Sequence, residues 1–210
     1  PASGAAFIAI PTDDLFAFSS QIFRVMLLRR LRLPLPNTDR RCRCGASIDR
    51  FGDHRASCPR AGLLATRGFA VEAAAARICR EAGARVAMNI MLRDLNIEGA
   101  PEDGRRLEII ANNLLLWGGS QLVIDTILIS PVSSSGRAHT NVHARDGICL
   151  TRARRRKERT YPEFLQEHGR ARLVVLGIEI GGRWNNEAMS FVQQLVHCRS
   201  RSEREILRKM

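Results

Sequence analysis

Four residues with the chemistry of a metal centre lie close together near the start of the chain. Cys42, Cys44, His54 and Cys58 read C-x-C, nine intervening residues, then H-x3-C. Soft thiolates joined by an imidazole are the donor set of tetrahedral zinc. His54 and Cys58, four apart, fall on one face of a helical turn, while Gly45 and Gly52 permit the tight loop between the two pairs. Since protein fills all four positions, a zinc held here is structural, with no open position for catalysis. The one-residue gap in C-x-C is shorter than the two to four residues usual in such sites. Buried thiols beside a surface histidine are the alternative reading.

A second set of reactive side chains sits singly in apolar runs. The stretch Arg106–Pro131 holds two such runs, with Glu108 in the first and Asp125 in the second. Leu122–Ile129 is rich in β-branched residues and bounded by Gly118-Gly119 and Pro131, which predicts a strand buried on both faces. Asp125 then shares a face with Val123 and Ile127. An ionised carboxylate among such neighbours costs several kcal/mol unless a cation or donors meet it. That points to a metal site, the alternative being a strand aspartate bonded to a backbone amide or an arginine. Carboxylates that converge in a basic protein suit a hydrated Mg2+ acting on a phosphodiester. Glu72, on an Ala-rich helix, and Glu179, in a later apolar run, are weaker candidates for the same metal.

Elements to position these residues follow from periodicity and breakers. Asp13 and Asp14 open a helix with Phe16, Ile22, Phe23, Met26, Leu27 and Leu31 on its apolar side and Arg24, Arg29, Arg30 and Arg32 on its basic side; Pro34 and Pro36 stop it. A helix over 63–82 is closed by Gly83. Strands follow at 85–92, around Glu108 and at 122–129, with a loop over 93–105. The polar stretch 131–147 is a surface loop, and His139 and His143 within it are not read as ligands. A strongly basic helix runs from Ile148 to near Pro162, setting Lys157 and Tyr161 on one face with Arg154 near them. A strand at 172–180 and an amphipathic helix at 186–207 complete the chain.

Charge narrows the partners. Thirty-three basic residues against 21 acidic ones, a net charge of +12, favour a polyanion, nucleic acid before membrane. Arg152, Arg154, Arg155, Arg156 and Arg159 are the candidate phosphate contacts. Among the basic residues only Lys157 and Lys209 are lysines. A lysine kept among arginines suggests a need for a compact ammonium, suited to orienting a water or stabilising a transition state. No apolar run reaches membrane-spanning length and no signal peptide is visible, so no membrane partner is expected. Six cysteines, three of them crowded beside a histidine, favour an intracellular metal site over a secreted disulfide framework. The chain starts at Pro1 without an initiator methionine, which implies a fragment of something longer.

The order helix, strand, strand, strand, helix, strand, helix, preceded by the Cys42-Cys44-His54-Cys58 module, resembles the carboxy-terminal part of site-specific non-LTR retrotransposon polyproteins. There a CCHC zinc module precedes a restriction-like endonuclease of the PD-(D/E)xK type. The resemblance covers most of residues 38–182. It places the basic-Pro-Asp motif on Arg106-Leu107-Glu108, the second acid on Asp125, and the helix-borne lysine and tyrosine on Lys157 and Tyr161. Leu107-Glu108 stands where the family has Pro-Asp, and Ile127 where the simple motif has lysine.

The resemblance implies an α/β restriction-endonuclease-like core, a mixed sheet flanked by helices, over 63–210. A zinc module over 38–62 and a helical lead-in over 1–37 would precede it. It implies structural Zn2+, catalytic Mg2+ held by Glu108 and Asp125, and nicking of target DNA to prime reverse transcription. The catalytic set is then Glu108, Asp125, Lys157 and Tyr161. DNA and the element's own RNA are the expected partners, in the nucleus. The alternative is a catalytically inactive zinc-containing module that keeps nucleic-acid binding. A stand-alone zinc-stabilised interaction domain is a third reading, for which the residues offer little.

Overall fold

The β-branched runs do form strands, and every helix anticipated from periodicity is present. The computed structural model describes residues 11, 13–14, 17–36, 41–61, 63–95, 103–165 and 171–209, without the side chains of 61, 63–65 and 202–209. The elements are α1 (Ser20–Arg30), α2 (Asp53–Ser57), α3 (Leu63–Glu81), β1 (Arg85–Met91), β2 (Arg106–Asn112), β3 (Gln121–Ile129), α4 (Ile148–Thr160), β4 (Ala171–Glu179) and α5 (Asn186–Lys209). The helical position expected at Phe16 and the loop positions 96–102 lie outside the described residues. The chain divides into two compact units. One comprises Pro1–Arg67, Leu128–Leu150 and Ile178–Trp184; the other comprises Gly68–Ile127, Thr151–Gly177 and Asn185–Met210.

The second unit carries the body of a mixed four-stranded sheet in the order β1-β2-β3-β4. β1 and β2 are antiparallel, as are β2 and β3, where Ile109 pairs with Ile124, Ile110 with Val123 and Ala111 with Leu122. Alternation sends Ile109, Ala111, Leu122 and Ile124 to one face. There they join Val174 and Leu176 of β4, Ala75, Ala76 and Cys79 of α3, and Ala188, Phe191 and Leu195 of α5 in one buried cluster. Small alanines on α3 let that helix lie close to the sheet, and burying the large side chains supplies roughly 1.5–3 kcal/mol each. α4 serves the opposite face, which carries Glu108 and Asp125.

Among the described residues of the first unit, polar anchors hold α1 in place. α1 is shorter than the acidic start at Asp13 and Asp14 suggests: the Ser19 hydroxyl caps it by accepting Ile22 N–H at 3.3 Å. None of its residues is buried. Its arginines make the polar contacts that dock it. Arg29 donates to the carbonyls of Phe51 and Gly52 at 2.8 and 2.9 Å, and Arg32, just past the helix, grips Asp53 through both guanidinium nitrogens at 2.8 and 2.6 Å. Gly52 has a φ of 70°, which favours glycine, and a Cβ there would stand 2.8 Å from Arg29 Nη1, so the arginine tip would have to shift.

Candidate metal centre and candidate active site

In the first unit, the loop after α1 and the one-and-a-half-turn helix α2 bring Cys42, Cys44, His54 and Cys58 together. Their ligand atoms all lie within 4.8 Å of one another. Cys42 Sγ is 3.9 Å from Cys58 Sγ, and Cys44 Sγ is 3.2 Å from His54 Nε2. A tetrahedron with Zn–S bonds of about 2.3 Å has S–S edges of about 3.8 Å. The cluster therefore has the donor types and spacing for a structural zinc. Cys42, His54 and Cys58 are buried, and all the cysteines of the chain are free thiols. Among the described residues no other group of three or more His, Cys, Asp or Glu side chains converges in this way.

Two aspartates that local reading left aside hold this geometry. The Asp49 carboxylate accepts the backbone N–H groups of Phe51, Asp53 and His54 at 2.9, 3.1 and 2.6 Å, and so caps α2. Burial works against its charged form, but these amide donors outweigh it and hold its pKa below the ordinary value. Asp53 anchors α1 as described. The N-cap itself is Gly52, so Asp49, three residues before it, carries no ordinary capping signal in the sequence. His54 Nδ1 sits 3.0 Å from the carbonyl of Ser134, 80 residues further on. Its Nδ1–H donates there, leaving the Nε2 lone pair for a metal.

In the second unit, continuing the β2–β3 register by one residue sets Glu108 against Asp125. Glu108 Oε2 accepts both the N–H and the hydroxyl of Thr126, at 2.6 and 2.8 Å, which fixes its carboxylate at the strand seam. Asp125 is only 2 % exposed. Lys157, reaching from α4, places Nζ 2.7 Å from Asp125 Oδ1. The distance is that of a close ion pair, and Oδ1 is fully buried, so this ammonium is what meets its charge. Burial first, and then the neighbouring charge of Glu108, push the Asp125 pKa up to about 6 against the pull of Lys157.

Glu72, on α3, senses the same charges. Burial first, and then the charge of Glu108, raise its pKa against the pull of Lys157. Tyr161 follows α4 rather than extending it. It is buried and its hydroxyl donates to the Arg106 carbonyl at 2.8 Å. Burial, Asp125 and Glu108 push its pKa up to about 12. Beside it, Arg105 pairs with Asp103 and Glu163 and donates to the Thr160 carbonyl, tying the end of α4 to the start of β2.

Glu179 belongs to the first unit, where Arg183 lies 3.8 Å away and burial raises its pKa. Of the five arginines on α4, Arg154 is engaged by Glu158 at 3.0 Å and Glu187 at 3.3 Å, while Arg152, Arg155, Arg156 and Arg159 are exposed. Sequence reasoning passed over Thr126, Ser134 and Glu187, whose parts depend on contacts from distant segments.

A buried carboxylate beside a second carboxylate is a donor set that suits a divalent cation. Magnesium needs only one or two carboxylates when waters and substrate phosphates complete its shell. No protein-family model matches the chain, and no curated protein matches it in sequence. No helix among the described residues is long and apolar enough to cross a membrane.

Proposed function

We propose that this chain is the metal-dependent DNA endonuclease part of a non-LTR retrotransposon polyprotein, with a restriction-like core, nicking target DNA to prime reverse transcription. The observation that carries the reading is Asp125, a carboxylate buried in an apolar strand, facing a second carboxylate and met by a lysine. Folding a carboxylate into such a place costs several kcal/mol unless a cation or donors meet it. Glu108 and Asp125 would hold Mg2+, with Glu72 near enough to adjust the charge. When bound, magnesium supplies Lewis-acid neutralisation of charge at the phosphate. Lys157 brings a compact ammonium to the same point, able to stabilise charge developing on the phosphate oxygens or to orient the attacking water. Thr126 holds Glu108 in place, and Tyr161 holds the Arg106 backbone two residues from it.

The exposed arginines of α4 and the net charge of +12 fit a DNA backbone as partner, with the element's RNA as a second one and the nucleus as the location. Nicking of supercoiled plasmid by wild-type protein in Mg2+, lost in chelator and in Asp125→Asn, tests the reading.

One observation favours a second reading. Lys157 Nζ, 2.7 Å from Asp125 Oδ1, is itself a counter-charge for that carboxylate. A chain that had lost catalysis could keep this pair for stability and act only as a zinc-containing nucleic-acid-binding module. Wild-type protein that binds DNA but leaves the plasmid uncut in Mg2+ or Mn2+ would decide for that alternative.

A further inference from the structure

Residues 130–139 form a tight hairpin within the first unit. Val132 bridges Ala138, Ser133 N–H donates to the Arg137 carbonyl at 2.8 Å, and Arg137 N–H donates back to Ser133 Oγ at 3.1 Å. Gly136, at φ 77°, takes the left-handed turn position and donates to the Ser133 carbonyl at 3.0 Å. His139 N–H closes the base on the Pro131 carbonyl at 3.0 Å. The contact that fixes this hairpin lies outside it. The carbonyl of Ser134, at the tip, accepts His54 Nδ1–H at 3.0 Å.

The same bond serves two ends. For the metal centre it fixes the histidine tautomer and ring orientation, the usual duty of a carbonyl behind a zinc-bound imidazole. For the hairpin it joins an otherwise exposed tip to the best-held part of the unit. The tip is also chemically one-sided. From residue 131 to residue 145 there is no carboxylate, while Arg137, His139, His143 and Arg145 are exposed. The next acid, Asp146, faces Arg183 at 3.2 Å. Exposed serine hydroxyls beside an unopposed arginine are donors suited to phosphate oxygens.

We propose that the 130–139 hairpin is a phosphate-backbone contact for nucleic acid held in position by the zinc centre through Ser134 and His54. Zinc loading then sets both the order of the hairpin and its share of binding. The proposal rests on the nucleic-acid half of the reading above and requires no cleavage. By linkage, the order that zinc confers on the hairpin is returned as zinc affinity.

The full chain is measured in four forms: zinc-loaded, zinc-stripped, His54→Cys and Arg137→Ala. His54→Cys keeps four zinc ligands as thiolates but removes the ring N–H donor. Amide hydrogen exchange over 132–139 is read in each free protein, and binding to a labelled DNA duplex is read across a salt series. Losing one such hydrogen bond corresponds to about tenfold in local opening, so exchange should rise by about that factor in stripped protein and in zinc-loaded His54→Cys. Arg137→Ala should leave exchange unchanged and reduce the slope of log affinity against log salt by about one. A hairpin equally protected with and without the His54 donor overturns the zinc link. An unchanged slope in Arg137→Ala, or a wild type that binds no DNA, overturns the phosphate contact. Binding with the expected slopes in protein that never cuts DNA leaves this proposal standing and removes the nuclease.

Discussion

Lys157 Nζ stands 2.7 Å from Asp125 Oδ1, one on a helix and the other in a strand with only 2 % of its surface exposed. The pair brings opposite charges together largely out of water. Lys157→Ala therefore leaves Asp125 buried without its counter-charge. In metal-free protein at pH 7 the variant should lose about 2 kcal/mol or more, measured by denaturant unfolding. Added Mg2+ should restore part of the loss while nicking stays abolished. Full stability of Lys157→Ala without metal would show the pair to be energetically idle.

Asp125 titrates within reach of ordinary buffers. Its folded-state pKa, about 6, lies above the ordinary 3.8 because burial and Glu108 disfavour its charge. A carboxyl raised in this way favours the folded state below its unfolded pKa, and that contribution is lost as pH rises toward 6. The interval corresponds to about 3 kcal/mol. Metal-free Asp125→Asn should therefore gain stability on wild type as pH goes from 4 to 7, and a pH-independent difference would contradict the assignment. Nicking by wild type should in turn rise with pH through about 6, and more Mg2+ should move that rise to lower pH.

Tyr161 has its hydroxyl on the Arg106 carbonyl. Tyr161→Phe leaves that carbonyl without its partner at the start of β2, at a cost of about 1–2 kcal/mol in thermal or denaturant unfolding. If the hydroxyl only positions β2, nicking should persist at a reduced rate with the metal dependence unchanged. Abolished nicking in a fully stable Tyr161→Phe would make it a chemical participant instead.

Purified protein prepared without chelator should carry about one zinc per chain. Cys42→Ser should lose it and, with it, the protection of α2 amides from hydrogen exchange. Asp49→Ala should weaken zinc retention without touching a ligand, because it removes the carboxylate that accepts three backbone N–H groups at and just before the start of α2. Metal analysis beside exchange data separates the two effects, and a zinc-free wild type would end the assignment.

The arginines of α4 should divide into two classes. Arg155→Ala, Arg156→Ala and Arg159→Ala each should lower the salt slope of DNA binding by about one with stability unchanged. Arg154→Ala should chiefly destabilise, since it uncovers Glu187, whose carboxylate also accepts Val175 N–H. Equal salt slopes for all four would erase the distinction.

Residue type and local spacing were enough to reveal the metal cluster, the apolar strands and the basic helix. Cys42, Cys44, His54 and Cys58 carry their chemistry in their identity and lie within seventeen residues, so no distant contact was needed to group them. The β-branched run around Asp125 and the absence of breakers in Ile148–Thr160 fixed each element by short-range sterics. What the elements do to one another was not legible. The strand register decides that Glu108 meets Asp125, and a slip of one residue would have sent them to opposite faces. Packing of α4 on that face decides that Lys157 reaches Asp125, that Arg154 is engaged, and that the Tyr161 hydroxyl is held by a carbonyl. The bond between His54 and Ser134 joins residues 80 apart, and no local periodicity encodes such a meeting. Side-chain chemistry is written residue by residue, but its pairing is set by long-range contacts that exist only once the chain has folded.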